Sequence, residues 1–493
     1  MNIAIVLYTL GSVLEITGGL LLLPALIALI YGESTLLVFV LTAAGSFAAG
    51  WLLRRRRPNN MTFYVKEGFV TTALSWLMIS LVGCLPFYFS GAIPSFTNAL
   101  FETISGFTTT GASILNEVEA LPVSCLFWRS FSHWIGGMGV LVFLLAIIPI
   151  SGGSQMNLMK AESPGPSVGK FVPKVMATAR ILYLIYFGMT LTELCFLILG
   201  GMPFLEALMI TFGTAGTGGF GVRSSSIGGY SPYIQWVVAV FMLLFGVNFN
   251  FYYFILLKRA RAAFKMEEVR AYLVMVAGAC LMIFLNLQHQ MQGMEGILRH
   301  SFFQVASLVT STGYATVDFD QWPGFSKMVL ILLMFVGACA GSTGGGLKVQ
   351  RILLLFKSYL RQMQMFLHPR AVRRIKYDGK SVSDEMAASV QTYLTAFLLI
   401  FGVSLVLVSL EGKDPVTNFT AVLTTINNMG PGLNLVGPAK NFDCMSTLSK
   451  YVLMFDMLAG RLELYPLLLL FHPALWKETA QKQARLRRKN NDR

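Results

Sequence analysis

Thr108-Thr109-Thr110-Gly111 closes the short apolar run from Phe96 to Phe107, and three later stretches have the same grammar. They are Gly216-Thr217-Gly218-Gly219-Phe220, Thr310-Ser311-Thr312-Gly313-Tyr314 and Asn427-Asn428-Met429-Gly430-Pro431. With Gly111, Gly219, Gly313 and Gly430 taken as equivalent, the intervals are 108, 94 and 117 residues. Each loop follows an apolar segment too brief to cross a bilayer and is flanked by segments long enough to do so. The pattern is a fourfold repeat of span, half-helix, Gly-bearing loop and span.

Composition agrees. The 493 residues are 55% hydrophobic and only 13% charged, with mean hydropathy +0.63. Apolar runs of about 20 residues indicate membrane-crossing helices. Outer-membrane barrels alternate apolar and polar residues over short strands; these runs are continuous. The predicted class is an all-α polytopic membrane protein.

The net charge of +14 is clustered at span ends. Arg54 to Arg57 follow one apolar run, Lys258, Arg259 and Arg261 another, and Lys348, Arg351, Lys357 and Arg361 a third. Arg485, Arg487, Arg488 and Lys489 lie in the tail. If successive spans alternate in direction, nearly all these clusters fall on one side, which predicts cytoplasmic termini by the positive-inside rule and leaves no call for nucleic acid as a partner. The six cysteines are scattered without a Cys-x-x-Cys pair, as expected of small apolar residues inside helices. Met1 leads straight into a hydrophobic stretch without a basic start, which reads as a retained first span.

The chain divides into an N-terminal hairpin (1–57), four pore repeats (58–160, 161–265, 266–385 and 386–475) and a basic tail (476–493). The hairpin carries a lone intramembrane Glu15, close enough to the membrane end to reach the interface. In the first repeat, spans at 68–90 and 127–150 bracket a half-helix at 98–108. Trp128, Phe131 and Trp134 read as interfacial aromatics, His133 as a hydrogen-bonded packing residue, and Gly136, Gly137 and Gly139 as a surface for close helix approach. The second repeat has 176–199, 203–215 and 232–257; the third 271–288, 297–309 and 326–356; the fourth 386–410, 416–427 and 449–471.

Non-helical backbone cannot face lipid, because each unpaired amide or carbonyl there costs several kcal/mol. Four half-helices and loops at membrane depth therefore line water or protein, and are expected to surround one axis. Half-helices entering from the outer face point their negative C-terminal ends inward, which favours a dehydrating cation. Glycine lets successive carbonyls turn into the lumen, where they can replace an alkali ion's hydration shell. The near absence of charge in these loops argues against an acidic side-chain filter.

Two constellations lie below. Gly337-Ala338-Cys339-Ala340-Gly341-Ser342-Thr343-Gly344-Gly345-Gly346 would break a span mid-membrane and leave a gating segment under the third loop. Arg461 sits inside the last span, where a buried Arg faces a cavity or a partner. It is expected in the pore below the filter, bonding carbonyls of the Gly-rich segment; Glu463, two residues on, lies on another helical face.

Rival readings are a carrier coupling the alkali cation to a second ion, for which Glu102 and Glu206 are the nearest carboxylates, and an intramembrane enzyme assembled from Ser132, His133 and Glu193. For the two carboxylates the expected role is to hold loop amides from behind. The run Gly341 to Lys348 lacks the spacing of a phosphate loop.

At these residues the chain resembles the TrkH/TrkG branch of the bacterial potassium-uptake proteins, relatives of KtrB and the plant HKT transporters. The resemblance is carried by Thr108–Ala112, Trp134–Gly139, Ala161–Pro166, Ala340–Lys348, Asn427–Gly432 and Gly460–Glu463, and the additional N-terminal hairpin looks like TrkH. It implies potassium, with rubidium also accepted, bound by backbone carbonyls in a filter of Thr109, Thr110 and Gly111; Thr217, Gly218 and Gly219; Ser311, Thr312 and Gly313; and Asn428, Met429 and Gly430. It further implies a gating loop from Gly337 to Gly346 opposed by Arg461, no organic cofactor in this chain, and a homodimer in the lipid of the bacterial inner membrane. The implied partner is a cytoplasmic ring of TrkA-like subunits binding ATP/ADP or NAD(H). In HKT relatives a Ser in place of the first filter glycine goes with sodium, so Gly111 implies potassium. The second loop, Gly213 to Gly219, is richer in glycine than that family pattern.

Overall fold

The computed structural model describes residues 1–55, 57–58, 64–139, 175–288, 290, 293–369 and 373–477. The expected span from 140 to 150, the connector 151–174 with its Ala161–Pro166 motif, Arg56, Arg370 and the basic tail lie outside them. Among the described residues six helices are long and apolar enough to cross a membrane, or seven with one bent pair counted.

Helices α1 (Ile3–Tyr31) and α2 (Leu36–Arg54) form the N-terminal hairpin. They pack tightly enough that a Cβ on Gly50 would lie 2.6 Å from the Gly11 carbonyl. Gly32 turns the chain at φ 66°, and Glu15 pairs with Arg54 at the other end. The turn is anchored to the first repeat: Glu33 accepts from the Val123 and Ser124 amides at 2.6 and 3.1 Å. A carboxylate on those free N-terminal amides complements the helix dipole.

The first repeat comprises α3 (Val65–Phe89), half-helix α4 (Phe96–Phe107) and α5 (Val123–Gly137). The second comprises α6 (Val175–Leu199), half-helix α7 (Phe204–Ala215), α8 (Pro232–Gly246) and α9 (Phe249–Leu256), with short α10 (Ala260–Phe264) following. The third comprises α11 (Glu267–Leu287), half-helix α12 (Met294–Val309), α13 (Gly324–Val336) and α14 (Val349–Leu367). The fourth comprises α15 (Asp384–Ser409), half-helix α16 (Pro415–Ile426), α17 (Thr447–Arg461) and α18 (Tyr465–Leu470). Between α14 and α15 a small antiparallel hairpin pairs Lys376–Tyr377 with Lys380–Ser381.

The expected elements form, with one systematic correction. Only the third returning span was expected to break, yet the second and fourth break at the same depth. The 232–257 segment bends by 89° between α8 and α9, and the 449–471 segment ends α17 at Arg461, with Glu463 and Leu464 at positive φ. In the first repeat α5 ends at Gly137 and Gly139 takes φ 80°. Freed backbone groups at two of these breaks satisfy each other: Cys339 N donates to the Gly246 carbonyl at 3.1 Å, and Phe249 N to the Gly341 carbonyl at 3.0 Å. Broken helices survive in a membrane when neighbours supply such partners.

A second correction concerns the start of α5. Trp128 and Phe131 are buried core residues, not interfacial ones; the Trp128 ring nitrogen donates to the Gly83 carbonyl at 2.9 Å.

Candidate ion pathway

The four loops repeat one backbone conformation. Thr109, Thr217, Ser311 and Asn428 have φ of 56°, 54°, 57° and 52°, and the glycine two residues later has φ of 79°, 77°, 86° and 86°. Each half-helix closes with the same bond, from the amide before that glycine to the carbonyl five residues earlier: Thr110 to Ser105, Gly218 to Gly213, Thr312 to Ser307 and Met429 to Thr424, at 2.8–2.9 Å. The first left-handed residue lets the chain turn back on the helix end, as in a Schellman cap. This pattern aligns the glycine-rich second loop on Gly219.

The loops also form a closed ring. A Cβ on Gly111 would overlap the Gly218 carbonyl oxygen, one on Gly219 the Thr312 oxygen and one on Gly313 the Met429 oxygen. A Cβ on Gly430 would lie 2.9 Å from the Thr110 oxygen, returning to the start. Each glycine thus abuts the carbonyl preceding the next loop's glycine, in chain order, around one axis. Side chains turn away behind the ring: Thr108 pairs with Thr110, and Thr310 with Thr312, at 2.8 and 2.7 Å. Backbone oxygens are the polar groups that recur at each step of this ring. Among the described residues no group of three His, Cys, Asp or Glu could hold a metal.

Below the ring lies a cavity of about 100 Å³, bordered by Asn428, Gly344, Gly345, Lys348 and Arg461. The segment expected to gate, Gly337 to Gly346, lies in the link between α13 and α14, which continues through Leu347 and Lys348. Its Gly345 amide donates to the Ser311 hydroxyl at 2.5 Å, directly beneath the third loop. A Cβ on Gly344 would lie 2.8 Å from the Thr310 carbonyl. Ala338 and Cys339 are fully buried, and Ala340 nearly so. Ser342 bonds back to the Cys339 carbonyl at 2.6 Å, and Thr343 to the Phe245 carbonyl at 3.3 Å. Gly337, Gly341 and Gly346 take positive φ, so the segment cannot be helical.

Arg461 ends α17 and reaches under the ring. It donates to the Thr343 carbonyl at 3.0 Å, to the Gly137 carbonyl at 2.8 Å and to the Gly136 carbonyl. It therefore ties the Gly-rich segment of the third repeat to the end of α5 in the first. Glu463 faces away from Arg461 and pairs with Arg351.

Sequence reading missed three groups. Lys348, grouped there with cytoplasmic charges, is buried, lines the cavity and bonds the Gly344 carbonyl. Arg351, from the same cluster, is buried too and stacks on Tyr393 at 3.8 Å. Glu268 accepts from the Ala340 amide at 2.6 Å and the Gln350 amide at 3.2 Å, holding both ends of the broken segment. The available signal was the position of Lys348 two residues after a glycine run that breaks a span. His133 is a hydrogen-bonded packing residue as expected, and Glu102 holds the Ile114 amide at 3.0 Å from behind the loop. Glu206 instead pairs with Arg223 and Tyr230.

These features define a helical membrane protein whose four re-entrant half-helices surround one pore, preceded by a two-helix hairpin. The chain belongs to the TrkH family of cation transport proteins, whose model matches residues 37–478. It is 37% identical over 482 residues to the Trk system potassium uptake protein TrkH of Salmonella typhimurium, covering 95% of this chain and 98% of that one. It is 31% identical to TrkG of Escherichia coli over 484 residues, 97% of this chain and 99% of that one. Among solved structures, it matches the crystal structure of the potassium transporter TrkH from Vibrio parahaemolyticus with TM-score 0.87 and 32% identity, over 97% and 100% of the two chains. The chain is a multi-pass transport protein, not an enzyme.

Proposed function

We propose that this chain takes up potassium, and accepts rubidium, through a gated, channel-like pore whose filter is the ring of carbonyls from Thr109–Gly111, Thr217–Gly219, Ser311–Gly313 and Asn428–Gly430. One observation carries the reading: the cyclic contact in which each filter glycine meets the carbonyl of the next loop, so that main-chain oxygens recur at every step of the ring. Carbonyl rings of this kind exchange for an alkali ion's water shell. The names of the relatives agree with potassium as the ion.

The segment from Gly337 to Gly346 and Arg461 are read as the gate. A cation leaving the filter would meet the Arg461 charge in a narrow cavity of low effective dielectric, where like-charge repulsion is strong. Opening requires the segment to leave the Ser311 hydroxyl and Arg461 to release the Thr343 carbonyl. By the family's pattern, a homodimer in the inner membrane, with both termini cytoplasmic and a TrkA-like nucleotide-binding ring beneath, would supply the driving contacts.

The coupled-carrier reading loses its carboxylates: Glu102 is committed to Arg129, Ser113 and the Ile114 amide behind the loop, and Glu206 to Arg223. Purified protein in liposomes tests the proposal. Current should reverse at the potassium equilibrium potential whatever the proton gradient; reversal that follows the proton gradient would mean a carrier.

A further inference from the structure

The four loops are alike in backbone but not in what holds them. Between the first and second, three buried side chains of the first repeat form a continuous polar bridge. His133 donates from Nδ1 to the Gly106 carbonyl at 2.7 Å, at the end of the first half-helix. A carbonyl can only accept, so Nε2 is the bare nitrogen, and it accepts from the Phe220 amide at 3.3 Å, just past the second filter glycine. Arg129 repeats this bridge one helical turn away. Its Nε donates to Glu102 at 2.5 Å, and Glu102 in turn holds the Ser113 hydroxyl and the Ile114 amide of the first loop, both at 3.0 Å. Its Nη1 donates to the Gly221 carbonyl of the second loop at 2.9 Å, and its guanidinium lies 3.6 Å over the Phe220 ring.

The same helix explains why the second loop is so rich in glycine. A Cβ on Gly218 would run into the His133 ring, and one on Gly216 into the His133 carbonyl. The second filter strand lies directly on α5, and its one side chain, Thr217, bonds only the neighbouring Gly216 carbonyl at 2.6 Å.

We propose, on the reading of this ring as a potassium filter, that His133 and Arg129, oriented by Glu102, are positioning residues for ion selectivity: they template the second filter strand and fix its distance from the first. They touch no ion. Their effect runs through the Gly218 and Gly219 carbonyls, whose direction is set by the Phe220 amide and Gly221 carbonyl they hold.

Bi-ionic potentials in liposomes holding the purified full-length chain test this. His133→Phe keeps a ring of similar size and loses both bonds; Arg129→Lys keeps a charge opposite Glu102 and loses the fork that also reaches Gly221. Each is expected to lower the potassium-to-sodium permeability ratio about tenfold, since each leaves a buried filter-strand partner unsatisfied. Phe220→Leu, which leaves every polar group paired and removes the ring packed under Arg129 and against His133, should lower it less, and decides the matter if neither polar variant folds. A merely structural role would reduce thermal stability or total flux and leave the ratio where it was; an unchanged ratio in the variants that fold overturns the inference. Wild-type vesicles without preference for potassium would instead remove the reading on which it rests.

Discussion

Gly111 presents its Cα to the carbonyl oxygen of Gly218 so closely that any side chain at 111 would overlap it. This contact joins the first loop to the second, and the Thr312 oxygen lies 3.6 Å from the same Cβ position. A side chain there also meets a backbone at φ 79°, a left-handed conformation that costs a non-glycine residue about 1–2 kcal/mol. Gly111→Ser should therefore move the second strand outward and lower potassium selectivity. Fluxes of potassium, rubidium, sodium and lithium in liposomes measure it: potassium and rubidium flux should fall while sodium flux holds or rises. Identical ratios in a folded variant would show that this carbonyl ring does not select.

Arg461 holds one carbonyl of the Gly-rich segment and two at the end of α5. Arg461→Ala removes both the tie and a positive charge from beneath the ring of loop carbonyls. At an effective dielectric of about 20, a unit charge a few ångströms from the ion path is worth a few kcal/mol. Cation flux from the purified chain should rise roughly tenfold or more on that scale. Unchanged or lower flux from well-folded protein would refute the assignment of Arg461 to the barrier.

Glu268 clamps the broken segment from behind, accepting from Ala340 before the glycines and Gln350 after them. Its neighbour Glu267 pairs with Lys357, and the Glu267 amide donates at 2.8 Å to Asp378 in the turn between the paired strands Lys376–Tyr377 and Lys380–Ser381. Glu268→Ala would leave the two buried backbone amides of Ala340 and Gln350, and the Asn248 side-chain amide, without this acceptor, at about 1–3 kcal/mol for each buried group. The expected result is a lower melting temperature in detergent together with faster hydrogen exchange at 340–350, and with Glu268→Gln intermediate because it keeps one acceptor oxygen. Normal protection of that segment in Glu268→Ala would show that other contacts hold it.

Most of the architecture is written in local pattern. Hydropathy alone separates full spans such as Asp384–Ser409 from half-helices such as Pro415–Ile426, because crossing a bilayer needs a minimum apolar length. The loops were legible because left-handed backbone selects glycine, and Gly111, Gly219, Gly313 and Gly430 mark it at each repeat. The additional helix breaks were not. Between Gly246 and Phe249 the one polar residue, Asn248, caps α9 with its side chain, but a lone Asn does not announce a sharp bend; the freed bonds at the break are met by Gly341 and Cys339, far along the chain, which accept and donate them. Charge misled in the same way: Lys348 and Arg351 look like a cytoplasmic cluster with Lys357, and only the three-dimensional path of α14 shows that the first two turn inward. Arg129 likewise gave no sign of its partners, Glu102 on half-helix α4 and Gly221 after the second loop, which lie 27 residues before it and 92 after.

The pair between Arg351 and Glu463 joins the start of α14 to the break that follows α17. Arg351 is nearly buried and stacked on Tyr393, and Glu463 is only 18% exposed, so neither charge has much water to fall back on. Removing one partner of such a pair typically costs about 3–5 kcal/mol, more than the pair contributes over an apolar replacement. Arg351→Met and Glu463→Gln should each lower the melting temperature of the purified chain substantially. The double variant should recover part of that loss, because it leaves no unpaired charge. A double-mutant cycle in detergent measures the coupling directly. Strictly additive losses would mean that Arg351 acts mainly through Tyr393, and that Glu463 is held at its left-handed position by the backbone of the break rather than by its ion pair.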